Sequence, residues 1–295
     1  MGGAGRGGHL KGDGMRVLDA SEISTAVEGM CREASTSPAP GLEAALARAM
    51  AASPPGPSRE ALAICLENVG IAAACGLPLC QDTGVPVFLA EIGSGVRIKG
   101  GTLASAVASG VSSSCRDGFL RPSMVSDPFG CRLNTGDSTP PVVHVEIVEG
   151  ASLRLGLVLR GAGTENASRV SMLPPLAGAD GIAGFVTEAV ASNGAFACPP
   201  LVVSVGIGGN LETCAILAKK GLLRRFGEAS RDTVCAALEK RLLGEVNALG
   251  IGPQGFGGPC TALSVRVTSA PCHMASLPAC VCMGCHALRT AEAVL

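Results

Sequence analysis

The hydrophobic pattern of this 295-residue chain changes near residue 80, and this change constrains the possible folds more than any other feature. Before it, residues 21 to 75 hold Ala-rich segments with helical spacing, interrupted by "SPPGP". Ser21 and Ser58 are predicted to cap two of these helices. After it, "VPVFLAEI", "PVVHVEIV" and "LRLGLVLR" alternate apolar and polar residues, as half-buried strands do.

Strands and helices are mixed in the rest of the chain. The second and third strand segments are expected to form a hairpin around Glu149 and Gly150. "LVVSVGI" predicts a strand that leads into the helix "LETCAILAKKGLL", and "RDTVCAALEKRLLGEVNAL" predicts a long helix before the strand "CTALSVRVTSA". Helices followed by mixed strands and helices favour an α+β fold. We expect a disordered Gly-rich tail over residues 1–14 and one catalytic domain over residues 15–295.

Composition excludes several classes of protein. Although 47% of the residues are hydrophobic, no apolar run reaches the roughly 18 residues that a membrane span needs. The net charge is −1 and the chain has neither Trp nor Tyr, so neither a basic surface nor a base-stacking platform for nucleic acid is expected. The N-terminus has no apolar signal region, so we expect a soluble, cytoplasmic protein whose 14 cysteines are reduced thiols, metal ligands or catalytic groups.

The loop "GLPLCQDTGVPVF" concentrates reactive side chains. Cys80 is followed directly by Gln81, Asp82, Thr83 and Gly84. An ordinary turn would use Asp-Thr-Gly but would have no use for the cysteine. A site that holds a metal and binds a polar substrate could use the thiol, the amide, the carboxylate and the hydroxyl of this loop.

Two further polar loops, "RGAGTEN" and "NTGDSTP", also lie beside predicted strands. Each alone is explained by turn geometry, but three such loops suggest a shared site. "GIGPQG" fits the dinucleotide-binding pattern G-x-G-x-x-G, yet it follows a helix and precedes a strand. Because that order is the reverse of the nucleotide-binding context, we interpret this match as accidental.

The C-terminal segment "CHMASLPACVCMGCHALR" offers a different interpretation. Its cysteines and histidines include one C-x-x-C pair, Cys282 and Cys285. A non-catalytic zinc or redox protein could use them, although a second pair at zinc-finger spacing is missing.

Three cysteines in separate contexts suggest a third kind of site. Cys80, Cys198 and Cys285 lie far apart in the chain, unlike the tight cysteine run of a ferredoxin. A cluster held by three distant cysteines would leave one iron without a protein ligand. Such an iron could bind a hydroxyl or carboxylate as a Lewis acid, which suits the addition or removal of water from a hydroxy acid.

The order of motifs resembles one known family. "LCQDTG", "LRPSMVSDP", "NTGDSTP", "RGAGTEN", "ACPP", "VGIGG", "GIGPQGFGG", "HMASLPA" and "GCHALR" follow one another between about Ala51 and Arg289. They resemble the α-subunit, or N-terminal catalytic region, of the iron–sulfur hydro-lyases, namely class I fumarate hydratase and L-tartrate dehydratase. The resemblance implies an α+β fold around a loop-built Fe–S site.

The resemblance also implies roles for individual residues. The ligands of a [4Fe-4S] cluster with one iron not ligated by protein would be Cys80, Cys198 and Cys285. The residues that contact substrate would be Gln81, Arg121, Gly163 and His273. Asp82 would contact substrate and transfer a proton. Arg121 would hold a substrate carboxylate, which a guanidinium can do through two parallel hydrogen bonds.

Three positions depart from the usual family residues. Arg160 stands where the family generally has Lys, Ser138 where it has Asn, and Cys272 where it has Arg before the histidine. If those family residues help to neutralise substrate charge, the specificity of this chain differs from theirs.

The resemblance further implies a small dicarboxylate substrate and a protein partner. In the family a smaller unit, either a C-terminal domain or a β-subunit, completes the site, whereas this sequence ends at Leu295. We therefore expect the α-subunit of a hetero-oligomer, inactive alone, that converts fumarate to (S)-malate reversibly. The alternative substrate is L-tartrate, with oxaloacetate as its product.

Overall fold

The computed structural model describes residues 10–11, 15–116 and 120–295. The helices are α1 Ala20–Thr36, α2 Leu42–Ala52, α3 Pro57–Cys75, α4 Leu103–Arg116, α5 Ala162–Ala167, α6 Gly178–Asn193, α7 Leu211–Gly221 and α8 Thr233–Ala248. The strands are β1 Leu10–Lys11, β2 Met15–Asp19, β3 Val85–Gly93, β4 Val96–Lys99, β5 Val142–Val148, β6 Leu153–Arg160, β7 Arg169–Leu173, β8 Leu201–Gly209, β9 Ala262–Cys272, β10 Leu277–Gly284 and β11 Thr290–Val294. Short 3-10 helices cover Pro175–Ala177, Gly194–Ala197 and Pro253–Gly255. The predicted α+β fold is confirmed.

The chain divides into two compact units. Unit 1 comprises residues 1–35, 81–159 and 291–295, and unit 2 comprises residues 36–80 and 160–290. The predicted disordered tail over residues 1–14 lies outside the described residues, except that Leu10–Lys11 pairs with β2. The single catalytic domain remains a prediction. No helix in the described ranges is both long and apolar enough to span a membrane.

Unit 1 contains a sheet in the order β11-β6-β3-β5, in which β3 and β5 run parallel. The predicted hairpin between β5 and β6 is therefore wrong, because β3 lies between them. The turn after β3 explains the arrangement, since the amides of Gly93 and Ser94 donate to the carbonyls of Ser152 and Val148 at 2.8 and 2.7 Å. A Cβ at Gly93 would lie 2.4 Å from the Gly150 carbonyl, so this close approach requires glycine.

Helices α1 and α4 cover the apolar core of unit 1. Asp19, not Ser21, caps α1, because its Oδ1 accepts from the Ser21 amide at 3.0 Å while its own amide donates to Glu22 Oε2 at 3.1 Å. The two helices approach closely at Gly110, where a Cβ would lie 2.5 Å from the Ser24 carbonyl. The other predicted cap is also wrong, since α3 begins at Pro57 and includes Ser58.

Unit 2 is built on a sheet in the order β7-β10-β8-β9. Strand β10 runs antiparallel to β7 and β8, whereas β8 and β9 are parallel. Apolar side chains of β8, β9 and β10 pack with α6 and α8 in one core. Helix α7 approaches β8 so closely that a Cβ at Gly206 would lie 2.0 Å from the Cys214 carbonyl. The predicted strands and helices between residues 201 and 272 are confirmed.

Candidate functional site

Cys80, Cys198 and Cys285 come together in unit 2. Cys198 lies just before β8 and Cys285 just after β10. Strands β8 and β10 are antiparallel, with Gly284 opposite Val202, so the start of β8 lies beside the end of β10. Both cysteines therefore lie at the same end of the sheet. Cys80 follows α3 and interacts electrostatically with both. The structure thus gathers the three sulfurs that the sequence separates.

The surroundings of these thiols affect their ionisation. Burial raises the pKa of Cys285, and the nearby Arg289 guanidinium opposes that rise. Burial also raises the pKa of Cys198, with a further contribution from Cys80. Each thiolate therefore disfavours the next one unless a cation neutralises them. Iron supplies such a charge, and thiolate sulfur is the usual donor to iron–sulfur clusters, so the donor set fits the expected group.

A fourth sulfur lies beside this group and was not anticipated. Cys65, on α3, is 4% exposed and interacts electrostatically with Cys285 and Cys198. Burial, followed by these two neighbours, raises its pKa to about 11. The sequence gives no signal for this proximity, because Cys65 sits in an ordinary helical pattern, where a cysteine usually behaves as a small core residue.

Arg160 stabilises the segment that leads to Cys285. Its guanidinium is buried and donates to the Met283 carbonyl at 2.7 Å and to Glu165 Oε2 at 2.9 Å. Lys219 Nζ pairs with the other oxygen of Glu165 at 2.6 Å. This arginine thus serves as a buried, hydrogen-bonded cation beneath the end of β10.

The polar loops of unit 1 are held by buried hydroxyl groups. Thr83 Oγ1 accepts from the Arg121 amide at 2.8 Å, and Arg121 Nη1 lies 3.5 Å from the Gln81 carbonyl. Ser138 Oγ accepts from the Ser123 amide at 3.1 Å. Ser138 has a φ of 56°, a left-handed conformation that Asn adopts more readily, which matches the usual family residue there.

Two candidate substrate residues belong to this group of loops. Gln81 and Arg121 are exposed and lie together, and Asp82 between the cysteine and Thr83 is partly exposed. Gln81 and Asp82 also follow Cys80 directly in the chain. Of the three polar loops expected to share a site, "QDTG" and "NTGDSTP" lie in unit 1, where both bond to the "LRPS" segment, whereas "RGAGTEN" lies in unit 2. The shared site of all three loops stays a prediction.

Gly163 lies near the cysteine loop of unit 2. It belongs to α5, and a Cβ there would lie 3.0 Å from the carbonyl of Phe196, which precedes Cys198 by two residues. An added side chain would press on this loop, so the position favours glycine.

His273 lies elsewhere in unit 2. It follows the end of β9 and begins the turn into β10. This turn lies at one end of the strands, and Cys198 and Cys285 lie at the other end. Strands of this length separate the two ends by roughly 25 Å, at about 3.3 Å per residue. The structure therefore does not bring His273 to the cysteines within one chain.

The same topology separates the members of the C-terminal segment. Cys272 and His273 lie at one end of the sheet, Cys285 and His286 lie at the other, and Cys280 and Cys282 are buried within β10. Within residues 15–116 and 120–295, no three His, Cys, Asp or Glu side chains are grouped to hold a single metal ion. A cluster differs from such a site, because each thiolate binds a different iron.

Comparisons with known proteins agree with the motif order. Residues 24–294 match the family model described as fumarate hydratase (Fumerase). A putative L(+)-tartrate dehydratase subunit alpha from Methanocaldococcus jannaschii is 40% identical over 239 residues, which cover 79% of this chain and 84% of that protein. The L(+)-tartrate dehydratase alpha subunits of Escherichia coli and Shigella sonnei are 33% identical over 225 residues, which cover 76% of this chain and 74% of theirs. The match to the family model spans nearly all of the described sequence, and this chain belongs to the fumarate hydratase (Fumerase) family.

Proposed function

We propose that this chain is the α-subunit of an iron–sulfur hydro-lyase that interconverts fumarate and (S)-malate. The observation that carries the proposal is the meeting of Cys80, Cys198 and Cys285 in unit 2, despite their separation in the chain. Family membership supports it independently. The fourteen cysteines are all free thiols, which supports a reducing, cytoplasmic location.

The three thiolates would hold a [4Fe-4S] cluster. When bound, such a cluster would present one iron without a protein ligand as a Lewis acid for a hydroxyl or carboxylate oxygen. Arg289, near Cys285, and the buried Arg160 offset the negative charge of the thiolates.

The residues after Cys80 would bind and orient the substrate. Gln81 offers an amide to a carboxylate or hydroxyl, and Arg121 beside it offers a guanidinium that can form two hydrogen bonds to one carboxylate. Asp82 would donate a proton to the departing hydroxide in dehydration and accept one from water in hydration. Gly163 would offer its backbone to the substrate.

A partner subunit would complete this chemistry. The alpha subunits that this chain resembles are named as parts of tartrate dehydratases, which supports a matching β-subunit here. That subunit would supply the base that removes the C3 proton. Since His273 lies at the opposite end of the sheet from the cysteines of its own chain, its proposed contact with substrate would be made at the cysteine site of another copy of this chain.

L-tartrate is the second candidate substrate. The relatives named above are tartrate dehydratase subunits, which favours tartrate, whereas the family model is described as fumarate hydratase. The zinc or redox alternative loses support because the C-terminal cysteines and histidines are divided between two ends of the sheet.

Anaerobic reconstitution tests the proposal directly. The reconstituted chain is expected to show broad absorbance near 400 nm and about four irons and four sulfides, as a four-iron cluster requires. A colourless chain that binds zinc would overturn the proposal. Side-by-side assays of the assembled enzyme with malate and with tartrate would then identify the substrate by the ratio of kcat/KM values.

A further inference from the structure

Three side chains of unit 2 hold the backbone beside the candidate cluster ligands. Asn68 Nδ2 donates to the carbonyl of Leu79, directly before Cys80, at 3.0 Å. The amide and the side-chain Nε2 of Gln254 both donate to the carbonyl of Pro199, directly after Cys198, at 2.8 Å. The Asn68 bond therefore restrains the peptide that enters Cys80, and the two Gln254 bonds restrain the peptide that follows Pro199, one residue beyond Cys198.

His286 connects the loop of Cys285 to the loop of Cys198. Its amide donates to the Cys198 carbonyl at 3.2 Å, and its Nδ1 lies 3.1 Å from the same oxygen. Nδ1 also lies 2.9 Å from Gln254 Nε2. Because His286 directly follows Cys285, these contacts link the loop of Cys285 to that of Cys198.

The restrained loop has an unfavourable backbone conformation. Cys198 has a φ of 53° and Gln254 a φ of 52°, and neither is glycine. Such conformations are unfavourable for residues other than glycine and persist only where the surroundings impose them. The hydrogen bonds that Gln254 and His286 make to the Cys198 and Pro199 carbonyls restrain the backbone here.

The three side chains line one cavity of about 540 Å³ between α3 and the Pro253–Gly255 segment. Cys65 and the apolar side chains Ile64 and Phe256 also line it. Gln254 belongs to "GIGPQG", the segment whose match to a nucleotide motif was interpreted as accidental. A Cβ at Gly252 would lie 1.6 Å from the Gly257 carbonyl, so the glycines allow the tight loop that presents Gln254.

We propose that Asn68, Gln254 and His286 are positioning residues that fix the three cysteine loops and determine how firmly the chain retains its cluster. The inference rests on the proposed function only for the identity of the bound group. The backbone restraint itself is a property of the chain without iron. A preorganised ligand set loses less entropy when it binds and so releases its metal more slowly.

The test uses isosteric variants of the full chain. Asn68→Asp and Gln254→Glu keep the side-chain size but replace an NH₂ donor by an oxygen. A net hydrogen bond of about 1 kcal/mol corresponds to about fivefold, so iron release to a chelator is expected to be at least fivefold faster in each variant. Glu60→Gln, an exposed change in the lining of the same cavity, is the matched control and is expected to release iron at the unaltered rate.

Two further readouts separate positioning from general destabilisation. The variants are expected to lower the thermal midpoint by no more than about 2–4 °C, the shift that the loss of one hydrogen bond implies, while amide hydrogen exchange in the iron-free chain accelerates around Cys80 and Cys198. Iron release at the unaltered rate, or acceleration only in proportion to a lower midpoint, would overturn the inference. If the unaltered chain bound no iron, the proposed function would fail, and the exchange data would still decide the restraint: equal exchange in Gln254→Glu and Glu60→Gln would reject it.

Discussion

The cysteine group of unit 2 and the polar loops of unit 1 are held in different ways. Around the cysteines, side chains of Asn68, Gln254 and His286 bond to the peptides beside the ligands. In the polar loops, the buried hydroxyls of Thr83 and Ser138 hold the backbone. The side chains that would meet the substrate there are exposed or partly exposed.

The difference agrees with what each group is proposed to bind. Cluster ligands need positions that are fixed before the metal arrives, since soft thiolates repel one another when they are brought together without it. Substrate-binding side chains can keep rotational freedom until the free energy of substrate binding offsets the entropy lost on ordering them. We therefore expect substitutions in unit 2 to alter the retained iron and substitutions in unit 1 to alter turnover.

The largest effect is expected at the cysteines themselves. Cys80→Ser, Cys198→Ser and Cys285→Ser should each abolish retention of the cluster, because serine oxygen is a poor donor to iron in such clusters. Cys65→Ser is the matched control, since Cys65 lies beside the group and remains a thiol with its pKa raised to about 11. Iron and sulfide analysis of the four variants makes the measurement. Loss of iron in Cys65→Ser alone would contradict the ligand assignment.

The next largest effect is expected at Asp82. Asp82→Asn removes the proton donor and keeps the size of the side chain, so kcat should fall by about 10²–10⁴-fold. The absorption spectrum and the iron content should not change, because Asp82 belongs to the polar loops. Steady-state kinetics of the assembled enzyme measure the effect. Normal turnover in this variant would remove Asp82 from the mechanism.

A smaller effect is expected at Arg121. Arg121→Lys keeps the charge but loses the paired hydrogen bonds to a carboxylate, so kcat/KM should fall by about 10–100-fold through a higher KM. Arg132→Lys, an exposed arginine in the same segment, serves as the control. An equal response of the two variants would show that Arg121 acts only through general charge.

The smallest effect concerns stability near Cys285. Burial tends to raise the pKa of Glu165, but Arg160 and Lys219 outweigh it, and the pKa is lowered. A carboxyl with a lowered pKa stabilises the fold above its unfolded pKa of about 4.3, and this contribution disappears as the pH falls through the folded value. Glu165→Gln should therefore lower Tm at neutral pH by about 2–4 °C, which corresponds to a loss of about 1 kcal/mol in the free energy of unfolding.

Thermal unfolding as a function of pH checks this sign. The difference between Glu165→Gln and the unaltered chain should shrink below about pH 4, where the unfolded chain takes up protons. Glu188→Gln, an exposed change on α6, should show no such pH dependence. A difference that grew on acidification would contradict the ion-pair interpretation.

Much of the local structure could be predicted from the sequence. The strand that became β8, the helices α7 and α8, and the strand β9 follow from hydrophobic periodicity and the residues around their ends. The order of polar motifs was sufficient to indicate the family. These features depend on neighbouring residues, so they are visible in a single segment of sequence.

The pairing of strands could not be predicted in the same way. Alternation identified both β5 and β6 as strands but could not show that β3 lies between them, because pairing depends on segments about 50 residues apart in the chain. The cap of α1 was also missed, although its signal is local, since Asp19 followed three residues later by Glu22 is a capping-box pattern.

By itself the sequence determined which side chains are present and in what order, and this was enough to indicate the family, the three thiols and the polar loops. Only the tertiary structure decided which of them meet. The antiparallel pairing of β8 and β10 brought Cys198 close to Cys285, and the fold placed Cys65 beside them. The same fold separated His273 from all three cysteines. The physical reason is that residue chemistry and periodicity are local, whereas proximity across a sheet depends on strand order and direction.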